Sequence, residues 1–285
     1  MGTFTSFDGT NIFYLYNKRK SKTTLLFLHG VGSNWTVWKK ELQYFAKRGY
    51  STLVLDLRGH GKSGAPEDFK KYRLPYFTRD IYCLLKKLKI TNFGLIGHSL
   101  GAAIAIIYCK RYRINYPHSL ILVEGASTYP FKHDRILNHG PYLTHILRFI
   151  AKHKLTSKQH VFKFHETDLS EDGLVQDIHI ISHLLHLTPL RTMVKTLDNV
   201  EKYVFKNQKG IDHALSSMRI PTLLIAGTED TTVPIKFSER IHNLNKRASM
   251  KIIKGAHHEA IISKAHEVSS VINDFMNTKV KHSLK

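Results

Sequence analysis

From Thr3 to Asn17, apolar and polar side chains alternate on either side of Asp8-Gly9-Thr10. A period of two interrupted by a D-G pair predicts an antiparallel hairpin over residues 3–7 and 11–17. The next apolar run, Lys22-Thr23-Thr24-Leu25-Leu26-Phe27-Leu28, does not alternate and reads as a strand covered on both faces. It stops at the polar, glycine-rich His29-Gly30-Val31-Gly32-Ser33-Asn34. From there buried-strand runs and helical periodicity take turns. Helix is expected from Trp35 to Ala46, strand from Ser51 to Leu55, helix from Thr78 to Lys89 and strand from Phe93 to Ile96. A helix from Leu100 to Arg113 and a strand from Leu120 to Val123 continue the series. Such alternation specifies a mostly parallel α/β sheet.

The pattern breaks between Ala126 and Ser217. No buried-strand run occurs there, and amphipathic helical stretches are expected over Tyr142–Lys152, Leu174–Leu187, Pro189–Leu197 and Asn199–Lys206. Strand signals return at Pro221–Ala226 and Met250–Ile253, separated by an Ile235–Leu244 helix and closed by one from Glu259 to Met276, with a frayed tail from Lys279. The division that follows is a core made of residues 1–125 and 216–285, with a helical cap, 126–215, inserted in it.

Length and composition suit a large buried core, since the chain has 285 residues of which 42% are hydrophobic. No apolar run approaches the roughly 18 residues of a membrane span, and no basic segment followed by an apolar one opens the chain as in a secretory signal. Met1-Gly2-Thr3-Phe4-Thr5-Ser6 fits the loose myristoylation pattern but also reads as the start of a strand. Cys83 and Cys109, the only cysteines, fall in helical segments without ligand spacing, so a cytoplasmic setting is expected. The net charge of +21 divides as +13 over residues 1–125, +3 over 126–215 and +5 over 216–285. Clusters such as Lys18-Arg19-Lys20 and Lys110-Arg111-Tyr112-Arg113 sit where helix and hairpin ends are solvated, and no RRM, KH or zinc-knuckle pattern accompanies them. No specific nucleic-acid partner is therefore expected.

The chemistry gathers at Gly97-His98-Ser99-Leu100-Gly101, between a strand and a helix. A G-x-S-x-G turn there holds the serine in a strained conformation, demands near-absent side chains two residues away, and aims the hydroxyl at a helix N-terminus. Three further pieces accompany it along the chain: His29-Gly30-Val31-Gly32, Gly227-Thr228-Glu229-Asp230-Thr231-Thr232-Val233-Pro234 and Gly255-Ala256-His257-His258. Together they resemble the α/β-hydrolase family with a helical cap, over nearly the whole chain. That resemblance implies an α/β-hydrolase fold: a mostly parallel central sheet with the N-terminal antiparallel hairpin and the cap at 126–215. It implies Ser99 as nucleophile, Asp230 as acid and His258 as base, with the backbone N–H groups of Val31 and Leu100 receiving the oxyanion. His258 is preferred to His257 because it falls on the family's histidine when Lys264-Ala265-His266-Glu267-Val268 is aligned with the following helix start.

Rival readings attach to several residues. Glu124 also ends a strand and is a second candidate acid, while His29 and His98 flank the reacting groups and read as packing. Arg58-Gly59-His60-Gly61-Lys62-Ser63 is basic and glycine-rich but lacks the phosphate-loop spacing. His179, His183 and His186 share a helix face at a spacing zinc can use, without the glutamate of a metalloprotease helix. No metal and no cofactor is expected. The expected activity is hydrolysis of a small to medium apolar carboxylic ester through an acyl-enzyme. Thioester, lactone and C–C substrates, or a triad-retaining receptor, are the alternatives. Family members that act on epoxides and haloalkanes attack through an aspartate at the elbow, and this chain has serine. Tyr129, Phe131, Tyr142, Phe149, Leu184, Leu185 and Leu187 are expected to line the pocket under the cap. Oligomeric state is left open.

Overall fold

The computed structural model describes residues 1–20, 23–130 and 190–280. An eight-stranded sheet runs through them: β1 (Gly2–Thr5), β2 (Asn11–Asn17), β3 (Thr24–Leu28), β4 (Ser51–Leu55), β5 (Phe93–His98), β6 (Ser119–Val123), β7 (Thr222–Gly227) and β8 (Ser249–Ile253). Its order is β1-β2-β4-β3-β5-β6-β7-β8. The first two strands pair antiparallel, with Gly2 opposite Tyr14, and β2 meets β4 antiparallel; every later pairing is parallel. The expected hairpin is present, its turn held by the Thr10 N–H on Asp8 Oδ1.

Period-two alternation sorts the buried strands between two cores. Leu26, Leu28, Leu53, Leu55, Leu95, Leu120, Leu122 and Leu224 face one side, with helices α2 (Leu74–Lys87), α3 (Leu100–Arg111) and α4 (Leu190–Ser216). Leu25, Phe27, Val54, Ile96, Ile121, Val123, Leu223 and Ile225 face the other, against α1 (Lys39–Lys47) and the closing helix pair α6 (Ala260–Ser263) and α7 (Ala265–Phe275). The remaining helix, α5 (Lys236–Leu244), joins β7 to β8. Strands buried on both faces are the reason these runs carry no polar alternation.

Differences from the sequence reading have local causes. Trp35–Trp38 is a 3₁₀ turn before α1, capped by Asn34 Oδ1, which accepts the Thr36 N–H at 2.9 Å. Helix α2 starts at Leu74, four residues before the expected Thr78, with Pro75 in its first turn where no N–H is needed. Asp198 and Asn199 do not divide α4: it is one helix from Leu190 to Ser216 where two were expected. Lys202 Nζ binds Asp198 at 2.7 Å, and Asn199 Nδ2 donates to the carbonyls of Lys195 and Phe69. Their side chains are thus engaged along the helix and across to a neighbouring turn, and do not compete for backbone at a cap. The expected helix at 259–276 is interrupted at Lys264, and Val280, expected in a frayed tail, is buried at the end of a π turn over Met276–Val280. The expected helices at 142–152 and 174–187, and His179, His183 and His186, lie outside the described residues.

Candidate active site

Strand order changes direction at β3, which has β4 on one side and β5 on the other, and ligands of open α/β sheets gather beyond the carboxyl ends of strands at such a point. The loops after β3 and β5 therefore lie side by side. Ser99 follows β5 with φ of +52° and ψ of −114°, a left-handed conformation that β-carbon-bearing residues seldom adopt. What permits the turn is the pair of glycines. A β-carbon on Gly97 runs into the backbone of Gly101 and Ala102, and one on Gly101 runs into the carbonyls of Leu28 and His29.

Ser99 Oγ donates to His258 Nε2 at 3.0 Å, and His258 Nδ1 donates to Asp230 Oδ2 at 2.9 Å. The other Asp230 oxygen accepts the N–H groups of Thr232 at 2.9 Å and Val233 at 2.7 Å, so the carboxylate is fixed before histidine meets it. Burial opposes the Asp230 charge, but the hydrogen bond and positive charge of His258 outweigh it and hold the carboxyl below its ordinary range. For His258, burial opposes the cation; Asp230, by hydrogen bond and charge, then Glu124 and Glu259, more than compensate, and the imidazole is raised above 6.5. His257 is exposed and takes no part in this chain of bonds. Of the two neighbouring histidines, the structure brings His258 to Ser99.

A second carboxylate–histidine pair stands behind the first. His98 Nε2 lies 3.0 Å from Glu124 Oε2 and 2.8 Å from the His258 carbonyl. Both partners are acceptors, so this nitrogen carries the proton and shares it. Glu124 is fully buried and, like Ser99, left-handed, with φ of +51°. It is bonded to His98, whereas the carboxylate on His258 is Asp230. His98, Glu124 and His258 approach one another closely, yet the hydrogen bonds just described already join them.

His29 is buried and structural in its contacts: the Leu57 N–H donates to its Nε2 and its Nδ1 donates to the Gly30 carbonyl, while burial and nearby His60 keep it neutral. Arg58 offers nothing to a phosphate, since Asp80 and Asp8 bind its guanidinium at 2.6 and 3.1 Å. The N–H of Lys62 in the same loop is taken by Asp56.

Above Ser99 opens an apolar cleft lined by Val31, Leu100, Ala103, Tyr129, Val233 and the α4 residues Leu197, Val200 and Val204. Val31 and Leu100, the two expected oxyanion donors, thus flank the serine, and Leu100 is the first residue of α3, whose leading N–H groups have no intrahelical acceptor. Tyr129 was expected in this lining; Phe131, Tyr142, Phe149, Leu184, Leu185 and Leu187 lie outside the described residues. The sequence reading missed Leu197, Val200 and Val204. Their i, i+3, i+7 spacing places them on one helical face, a signal hidden by the supposed break at Asp198-Asn199.

The model for the α/β-hydrolase fold matches residues 23–145, which hold the serine turn and the glycine-rich loop. The chain is an α/β-hydrolase-fold protein. Among its relatives, epoxide hydrolase 3 of Xenopus tropicalis is 26% identical over 94% of this chain and 75% of its own length. Human protein ABHD8 is 22% identical over 90% of this chain, which spans 56%, about half, of that relative. Among solved structures, an esterase from Exiguobacterium antarcticum superposes with a TM-score of 0.74 at 19% identity, covering 98% of this chain and all of the other. No described helix of this α/β-hydrolase-fold chain is long and apolar enough to cross a membrane.

Proposed function

We propose that this protein is a serine hydrolase that cleaves a carboxylic ester of a small to medium apolar substrate through an acyl-enzyme. The observation that carries the reading is the unbroken chain from Ser99 Oγ through His258 to Asp230 at the floor of an apolar cleft. In this reading His258 takes the serine proton as Oγ attacks the carbonyl carbon, and Asp230 holds the tautomer and stabilises the imidazolium. The same proton goes to the leaving alkoxide, and water, activated by His258, releases the acid. Val31 and Leu100 N–H groups receive the oxyanion; one such donor is worth about 2.7–4 kcal/mol of barrier.

The frog relative named as an epoxide hydrolase raises a rival chemistry. An elbow aspartate opens an epoxide to a covalent alkyl ester; Ser99 offers a hydroxyl, which suits attack on an acyl carbon. Residues 126–215 serve in this proposal as the cap, with the Leu197–Val204 face of α4 as part of the pocket wall. The test is a fluorophosphonate probe read by intact mass, run beside turnover of p-nitrophenyl acetate and butyrate. One label that disappears in Ser99→Ala, together with turnover that falls at least a hundredfold in that variant, is the expected result. Labelling without turnover points to a receptor that kept the triad, and styrene oxide hydrolysis that survives in Ser99→Ala removes the serine mechanism.

A further inference from the structure

The two edges of the sheet differ in electrical character: the site edge carries charges of both signs, with Lys62, Lys71 and Arg73 among its cations. Beyond the carboxyl ends of the strands lie the site and acids such as Asp56, Glu124, Asp230 and Glu259. The opposite edge is made by the connections that enter the strands: residues 18–20 with 23, 48–50, 88–92, 112–118, 217–221 and 245–248. Each of these six carries at least one exposed cation, represented by Lys18, Arg48, Lys89, Arg113, Arg219 and Arg247, and none contains Asp or Glu. The helices that feed them end in further basic residues, Lys86 and Lys87 on α2 and Lys110 and Arg111 on α3. Among the described residues none of these cations has an ion-pair partner.

Helix dipoles account for part of this, because cations stabilise a last turn. They do not account for Lys18-Arg19-Lys20, which follows a strand, for Arg219, which enters β7, or for the complete exclusion of acids from six separate connections. Nor do they account for Ile114. That side chain is 98% exposed, next to Arg113, in the loop between α3 and β6. Its aromatic neighbours are occupied elsewhere: Tyr112 stacks on Tyr82 with ring centroids 4.5 Å apart, and Tyr116 packs against the core. An aliphatic group standing free on a basic face, whose strand-entering connections contain no acid, matches the interface of an anionic bilayer, where headgroups take the cations and the acyl boundary takes the apolar tip. Single-stranded nucleic acid asks instead for exposed aromatic platforms.

We propose that this basic edge docks on an anionic lipid surface, with Ile114 inserted at the headgroup boundary. Docked this way, the strands' carboxyl ends and the Ser99 cleft face the water, so substrate arrives from the aqueous side and the membrane is an anchor, independent of the chemistry. Co-sedimentation of the full chain with large vesicles tests it, using phosphatidylcholine alone and phosphatidylcholine with about 30% phosphatidylserine at low and high salt. Binding is expected to the anionic vesicles only and to fall at least tenfold at high salt. Arg113→Gln with Lys89→Gln and Arg219→Gln should weaken it at least tenfold, and Ile114→Asn at least threefold. Melting temperature and p-nitrophenyl acetate turnover of these exposed-site variants should match the parent, which separates loss of docking from loss of fold or of activity. Failure of the parent chain to sediment with anionic vesicles overturns the proposal. So does equal retention by polyuridylate and vesicles at the same salt with no effect of Ile114→Asn, which assigns the edge to nucleic acid.

Discussion

At the scale of single residues, the pH dependence of the proposed base is the sharpest observable. His258 must be neutral to accept the serine proton, and Asp230, Glu124 and Glu259 raise its pKa above 6.5. The acid limb of kcat/KM should therefore have its midpoint above 6.5, with activity lost as pH falls through it. Four groups face this imidazole: Asp230 from the loop after β7, Glu124 from the end of β6, Glu259 from its own loop and His98 from β5. Removing one negative charge in Glu124→Gln should move the midpoint down, by an amount readable in a pH–rate profile, and leave kcat at the plateau within about tenfold. A merely structural role for Glu124 would lower activity without moving the midpoint. His258→Ala should abolish turnover and its titration, whereas His257→Gly, at an exposed position, should keep most of it. The reverse outcome for these two variants would reassign the base.

At the scale of elements, two predictions separate packing from chemistry. Gly101 lies where the start of α3 passes over the end of β3, and a side chain there collides with main chain that cannot rotate away. Gly101→Val should cost about 1–3 kcal/mol of stability as well as activity, seen as a lower melting temperature. Helix α1 carries the second. Glu41 is 0% exposed, neither carboxyl oxygen has a hydrogen-bond partner among the described residues, and burial raises it to about 8 from an ordinary 4.5. Between those two values the folded chain keeps a proton that the unfolded chain has released. Stability must fall as pH rises through that window, by up to about 1.4 kcal/mol per pH unit from this group. Glu41→Met should leave melting at pH 5 nearly unchanged and raise it at pH 8. A parallel pH dependence in parent and variant would show that Glu41 is solvated.

At the scale of the whole molecule, charge is arranged by edge and not by domain. The site edge holds the buried acids, and the 126–215 segment carries an excess of only +3 of the total +21. The field around the cleft gives little steering to an anion, so kcat/KM for a neutral short-chain ester should change less than about threefold between low and high salt. Salt should act on vesicle binding at the opposite edge. A steep salt dependence of both would mean that the two edges are coupled.

The amino-acid sequence by itself determined the layers and the turn. Runs buried on both faces, glycines two residues from Ser99, and helices between strands are local demands, and each is met by residues within one or two turns of chain. The order of the loops bearing Ser99, Asp230 and His258 was legible for the same reason. Only the tertiary structure decided which groups meet. Ser99 and His258 are 159 positions apart, and His258 and Asp230 are 28 apart, so their contact depends on parallel register across β5, β6, β7 and β8. That register turns Glu124 toward His98 and leaves His257 outside. The continuity of α4 was hidden likewise, because Asp198 and Asn199 break helices when their side chains are free and not when Lys202 and the Phe69 carbonyl hold them. The basic edge lies scattered over six short connections in sequence. The parallel sheet gathers it into one face, because every parallel strand must be entered from the same side.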